Sequence, residues 1–209
     1  SWDFHVTDIL KATKEENLAM IGESVAYLKA LGKTVVYDAE HFFDGYKNNR
    51  EYALQTVRAA AAAGADVVSL CDTNGGCFPS EIAEAVRAVK AAISCPVGVH
   101  AHDDTGCGVA NSVEAVLAGA EHVQGTLVGY GERCGNANLS AIIPDLQLKC
   151  GVACVAGDLK NLTEIARRVA EISNVRLNRG MPYVGKSAFT HKAGMHLSLI
   201  THLTLPTIA

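Results

Sequence analysis

The chain contains no stretch of about 18 or more apolar residues, the length a helix needs to span a bilayer. Its opening, SWDFHVTDIL, also lacks the basic-then-apolar order of a secretion leader. Both absences speak against an embedded or exported protein, and a soluble, cytoplasmic one is the expectation. Basic runs are missing too: 18 Lys and Arg are scattered among 22 Asp and Glu, for a formal net charge of -4. Nucleic acid and anionic membranes need a concentrated positive face, so neither is an expected partner. The 7 cysteines are odd in number and form no CxxC pair, which excludes the compact disulfide framework of small secreted domains. Cys150 and Cys154 lack a second Cys/His pair that would complete a zinc knuckle. Reduced thiols acting as small buried apolar groups are expected instead.

What is present is ample material for a core, with 49% hydrophobic and 19% charged residues. From Thr34 to about Leu148 one pattern recurs: a short β-rich run, a turn with glycine or polar residues, then an Ala-rich helical stretch. The strand candidates are Thr34–Glu40, Asp66–Asp72, Pro96–Asp103 and His122–Val128. Their spacing of roughly thirty residues suits parallel strands joined by helical crossovers. Helices are predicted over Lys14–Leu31, Asn48–Ala63, Pro79–Ala92 and Thr105–Ala118, and a further one over Leu159–Ile172. Gly64 and Gly119 stand where a left-handed helix cap belongs, and Pro79 suits a first turn. Four βα units fit a doubly wound sheet or half of a TIM barrel, since a whole barrel needs eight. The abrupt start at Ser1, just before a helix, suggests that a segment precedes it. From about Gly151 the pattern changes, and NRGMPYVGKSAFTHKAGMH reads as the start of a separate subdomain. The expected division is a partial barrel over 1–150 and a linker with the start of a C-terminal subdomain over 151–209.

His100-Ala101-His102-Asp103-Asp104 closes the third strand candidate. Alternate strand residues share a face, so His100 and His102 project together, close enough to share one metal ion. Strand C-termini are where barrel active sites lie. An oxygen donor must come from another strand. The loop Gly129-Tyr130-Gly131-Glu132-Arg133-Cys134-Gly135-Asn136-Ala137 offers the Asn136 amide, although a phosphate cradle, or a cap shut by a Glu-Arg pair, fits it as well. Asp38 and Glu40 share a strand face, as a metal-linked carboxylate and a general base or as a solvated rim. Asp72-Thr73-Asn74-Gly75-Gly76 offers a hydroxyl and free backbone amides to a substrate carboxylate, or is an ordinary Asn-Gly turn.

HAHDDTGCGVANSVEAVLAGAEHVQGTLVGYGERCGNANL resembles the signature of the acetyl-CoA-dependent 2-oxo-acid condensing enzymes, the isopropylmalate, homocitrate and citramalate synthases of the DRE-TIM metallolyase superfamily. The likeness extends over nearly the whole chain to about His196. SWDFHVT, YDAEHFFDGYKNN, CDTNGG and GYGERCGNANL are most similar to the citramalate branch. The resemblance implies an α/β fold, the C-terminal half of a TIM (β/α)8 barrel followed by the start of a small subdomain. It implies a divalent metal (Zn, Mn, Mg or Co) held by His100 and His102, with Asn136 at or just outside the metal shell. Thr73 would hold the oxo-acid carboxylate, Glu40 would serve acid-base chemistry, and His196 would act in the partner subunit of a homodimer. The substrates implied are acetyl-CoA and a 2-oxo acid, pyruvate first. Isopropylmalate or homocitrate synthesis, an aldol-cleaving lyase, and an inactive fragment or assembly module are the alternatives. The superfamily's Asp-Arg-Glu segment, the source of a metal-binding Asp and an enolate-stabilising Arg, does not occur in this chain.

Overall fold

The computed structural model describes residues 1–190. The sheet has four strands in the order β1-β2-β3-β4, all parallel: β1 Val36–Ala39, β2 Val67–Asp72, β3 Val97–Ala101 and β4 His122–Gln124. Sequential order with parallel neighbours is what consecutive βα units produce. The α/β expectation holds. No helix among the described residues is long and apolar enough to cross a membrane.

Between the strands run α2 (Phe42–Asn48), α3 (Arg50–Ala62), α4 (Pro79–Ala92) and α5 (Gly108–Leu117), with α1 (Lys14–Ala30) ahead of β1. Local chemistry sets their ends. At α1, Thr13 Oγ1 accepts from Glu16 N–H at 3.1 Å and Glu16 Oε2 accepts from Thr13 N–H at 2.8 Å, a reciprocal capping box. At α4, Pro79 occupies the first turn and Glu81 accepts the Phe78 N–H at 2.8 Å. Gly64 and Gly119 do take the left-handed conformation, at φ 97° and 111°, just beyond α3 and α5.

The helix expected over Asn48–Ala63 is α3, starting two residues later, and a further short helix, α2, precedes it. The Asn49 backbone leaves the helical region at φ -145°, and its side chain accepts the Tyr52 N–H at 3.1 Å, so one residue ends α2 and caps α3. α2 itself lies in what the sequence suggested was loop, and it carries Phe42, Phe43 and Tyr46 into the core. α5 starts three residues later than expected. Asp103 accepts the Gly108 N–H at 2.8 Å, and the residues between form a turn in which Thr105 N–H meets Gly75 O at 3.1 Å. β3 stops at Ala101 and β4 at Gln124, both short of expectation, and Val128 turns left-handed at φ 59°.

Two compact units are distinguished. The first, Ser1–Gly125 with Gly131–Ala137, holds the sheet and α1 to α5. Its core is one cluster in which Val68, Leu70, Val97 and Val99 meet Val57, Ala60, Ile82, Val86 and Val89 from the helices. The second takes Thr126–Tyr130 and the described residues from Asn138 onward, including α6 (Leu139–Pro144) and α7 (Leu162–Ile172). Asn138 caps α6 through Ser140 N–H at 2.9 Å, and Val128, Leu162, Ala166 and Val184 form a small core of its own.

Candidate functional site

Alternation along each strand divides the sheet into two faces. Val68, Leu70, Val97 and Val99 belong to the helix-packed core. The residues between them, Ser69, Cys71, Gly98 and His100, therefore point to the opposite face. Register continues that face sideways: Ser69 stands opposite Asp38 and Gly98, Cys71 opposite His100, and His100 opposite Gln124. Gly98 is small for a reason, because a Cβ there would come within 3.0 Å of the His122 ring.

The two histidines of the HAH run do come together, with ring centroids 5.3 Å apart. His100 is in β3. His102 lies just beyond it, rather than on the longer strand expected, and is held by a bridge to Asn136 and by its N–H to Asp72 O at 3.3 Å. That bridge, with Ala137 N–H to Ala101 O at 2.9 Å and Asp103 N–H to Gly135 O at 3.0 Å, brings Asn136 beside the pair. His100 Nδ1 lies 2.7 Å from Gln124 Oε1, and Gln124 Nε2 lies 2.7 Å from Asp38 Oδ1. His102 Nδ1 is buried with no hydrogen-bond partner among the described residues. Burial depresses the His102 pKa first, and the neighbouring His100 and Arg133 lower it further against the opposing pull of Asp104 and Glu132. A neutral imidazole is the form that ligates a metal.

This donor set fits a divalent cation: two adjacent imidazoles, one with a buried nitrogen that has no hydrogen-bond partner among the described residues. No group of three or more His, Cys, Asp or Glu gathers among the described residues. Remaining positions would fall to oxygen donors of another kind, the Asn136 amide or a bound substrate among them.

Thr73 follows directly on β2. Its hydroxyl accepts the His41 N–H at 2.9 Å, which leaves its own proton to give. Of the amides in the turn after it, Gly76 N–H and Cys77 N–H are accepted by the Asp72 carboxylate at 3.2 Å and 3.1 Å and Gly75 N–H by Asp72 O at 3.0 Å, so these three shape the turn. Glu40 sits one residue past β1, exposed, next to the His41 that touches Thr73. Burial raises the Cys71 thiol pKa, and the negative charges of Asp38 and Glu40 raise it further. His196 lies outside the described residues.

Several participants were not singled out from the sequence. Arg133 makes a two-pronged pair with Asp104, Nε to Oδ1 and Nη2 to Oδ2 both at 2.9 Å, and also gives Nη2–H to Thr73 O at 2.7 Å. The loop at 131–137 is thus tied across the ends of β2 and β3 through Asp104, with Glu132 a distant 3.8 Å from Arg133. The Asp104 carboxyl is held below its ordinary range by hydrogen bonding to this guanidinium. Asp44 binds His41 Nδ1 at 3.0 Å and Asn74 Nδ2 at 2.9 Å, holding His41 in its left-handed turn. Gln124 faces His100 in register. Its one sequence signal is its place two residues into a strand beside HAH.

Comparison with known proteins shows the family. The HMGL-like family model matches residues 2–169. The chain is 59% identical over 202 residues to an (R)-citramalate synthase of Aquifex aeolicus, covering 96% of this chain and 38% of that one. It is 52% identical over 201 residues to the (R)-citramalate synthase of Geobacter sulfurreducens, with the same two coverages. The chain thus spans about two fifths of the length of these curated relatives. Among solved structures, an HMG-CoA lyase of Bacillus subtilis superposes with TM-score 0.69 at 21% identity, covering 85% of this chain and 62% of that one, a likeness of fold.

Proposed function

Because the chain belongs to the HMGL-like family, we propose that the full-length protein is a cytoplasmic acyltransferase that condenses acetyl-CoA with pyruvate and water to give (R)-citramalate and CoA. One observation supports the chemistry: the imidazoles of His100 and His102 adjoin at the end of β3, and the buried Nδ1 of His102 has no hydrogen-bond partner among the described residues. The choice of pyruvate is supported by the identity to the Aquifex and Geobacter enzymes. On this reading the chain to about residue 150 is catalytic barrel and the remainder begins a second subdomain.

A divalent cation held by His100 and His102, with Asn136 at its edge, would supply Lewis-acid polarisation of the 2-oxo group. The chain's own residues do the rest. Thr73 donates a hydrogen bond from its hydroxyl to the carboxylate of pyruvate and fixes which carbonyl face is presented, since its oxygen is anchored by the His41 N–H. Arg133 holds the Thr73 carbonyl and the loop carrying Asn136 in one frame. Glu40 takes a proton from the acetyl methyl group, and His196, supplied by the second subunit of a homodimer, shares that acid-base work. The methyl carbon then bonds to C2 of pyruvate, the carbonyl oxygen of pyruvate gains a proton, and water cleaves the thioester to release the CoA thiol.

The test is thiol release by the purified full-length protein with acetyl-CoA and each of pyruvate, 2-oxoisovalerate and 2-oxoglutarate, before and after chelation. Pyruvate-dependent release that chelation abolishes is expected. Release that prefers a larger oxo acid would reassign the substrate, and chelator-insensitive turnover would remove the cation from the reaction.

A further inference from the structure

We infer that Gln124 and Asp38 are positioning residues that lock His100 in the tautomer with its proton on Nδ1, so that Nε2 presents a lone pair before any cation arrives. The lock is a property of the metal-free protein. Its usefulness to a cation rests on the proposed function above.

The argument begins with what each group can give. A carboxylate accepts and does not donate, so the Gln124 end that lies 2.7 Å from Asp38 Oδ1 must be the amide NH2. That fixes the amide against a flip, a choice otherwise open for any glutamine. Its carbonyl oxygen consequently faces His100 Nδ1 at 2.7 Å. A carbonyl oxygen carries no proton, so Nδ1 must donate. A neutral imidazole has one N–H, and spending it on Gln124 leaves Nε2 as a bare acceptor. Each link determines the next: Asp38 orients Gln124, and Gln124 selects the tautomer of His100.

Placement in the sheet makes the relay specific. His100 and Gln124 are register partners on neighbouring strands, whereas Asp38 is on β1, with two strands, β2 and β3, lying between it and β4 in the sheet order. The polar face must therefore curve enough for one glutamine to span from β4 back to β1. His102 has no such arrangement, because its Nδ1 has no hydrogen-bond partner among the described residues. The two imidazoles are prepared differently: one has its Nδ1 held by Gln124, and the other has a buried Nδ1 without a partner among the described residues. Outer partners of metal-binding histidines typically change affinity by about 10–100-fold when removed.

The experiment reads the tautomer directly. Full-length protein with isotopically labelled histidine is stripped of metal by chelation and brought to mildly alkaline pH, and two-bond nitrogen–proton correlation spectra report which ring nitrogen carries the proton. The His100 signals are assigned by their loss in His100→Gln. The expected wild-type result is the Nδ1–H form for His100. Gln124→Leu should shift His100 to a mixture containing the Nε2–H form and weaken zinc binding, measured by competition with a chelating dye, by about 10–100-fold. Gln124→Glu, which keeps an acceptor at Nδ1, should retain the wild-type tautomer. A wild-type His100 protonated on Nε2 would overturn the inference, as would a Gln124→Leu protein with unchanged tautomer and zinc affinity. The wild-type spectrum needs no variant, so it decides the matter even if Gln124→Leu fails to fold. Failure of the proposed function looks different: wild-type protein that binds no zinc, with His100 still in the Nδ1–H form.

Discussion

The two faces of the sheet are built from the same strands and do opposite things. On the helix side, Val68, Leu70, Val97 and Val99 are fully buried in one apolar cluster. On the other side stand Asp38, Cys71, His100 and Gln124, and a chain of hydrogen bonds joins His100 to Gln124 and Gln124 to Asp38. Burial of apolar area stabilises without regard to direction, so the helix side tolerates any well-fitting apolar set. The polar side depends on donors and acceptors meeting at about 3 Å in fixed directions, so it specifies geometry while adding little to stability. Stability and chemistry are thereby separated by the period of the strand.

A paired substitution would break this comparison most sharply. Leu70→Ala removes a buried side chain from the helix side and should cost about 2–5 kcal/mol in chemical denaturation, with zinc affinity of the folded fraction unchanged. His102→Ala should do the reverse: zinc affinity and turnover fall together by more than about 100-fold, while the metal-free protein unfolds near the wild-type midpoint. Zinc loss in Leu70→Ala as large as in His102→Ala would show that the faces are coupled rather than separate.

Within the polar side, Thr73→Val keeps shape and removes one proton donor to a charged group. That loss is worth about 1.5–3 kcal/mol, or roughly 10–100-fold, and should fall on the KM for pyruvate with little change in that for acetyl-CoA. Equal effects on both substrates would remove Thr73 from carboxylate binding.

The smallest expected effect lies at the helix-side boundary, in the cap of α1. Thr13→Ala should cost about 1 kcal/mol. Its partner Glu16 has a pKa depressed chiefly by accepting the Thr13 N–H. A carboxylate that is lower in the folded state contributes stability above its unfolded pKa and loses that contribution as pH falls through the folded value. The stability difference between wild type and Glu16→Gln should therefore be present at neutral pH and vanish in acid, below the ordinary glutamate range. Catalytic constants measured at neutral pH should not follow it.

Much of this was legible in the chain. The recurring run of β-rich segment, turn and Ala-rich helix located all four strands, because branched residues in short runs and alanines with terminal glycines obey local preferences. The spacing of HAH at a strand end led to the expectation that the two histidines adjoin, and their rings do lie 5.3 Å apart, although His102 falls beyond the strand. The boundaries were less readable, and for a stated cause in each case: Asn49 serves two helices at once, Asp103 delays α5 by capping Gly108, and the left-handed turn at His41 starts a helix from what looked like loop. In the turn after β2, Asp72 rather than a ligand takes the amides of Gly76 and Cys77, which spacing alone did not reveal.

By itself, then, the sequence determined the order of βα units, the apolar helix side of each strand and the place of His100 on the opposite face, all consequences of backbone period and local propensity, while the bridge to Asn136 set His102 beside it. Tertiary structure alone decided which groups serve those histidines. Asp38 and Gln124 are 86 residues apart along the chain, and Arg133 reaches a carbonyl 60 residues away, contacts that no period encodes. They exist because parallel strands are set side by side with their ends on one edge, and a hydrogen bond, unlike a hydrophobic contact, is made only when both partners arrive at the right distance and angle.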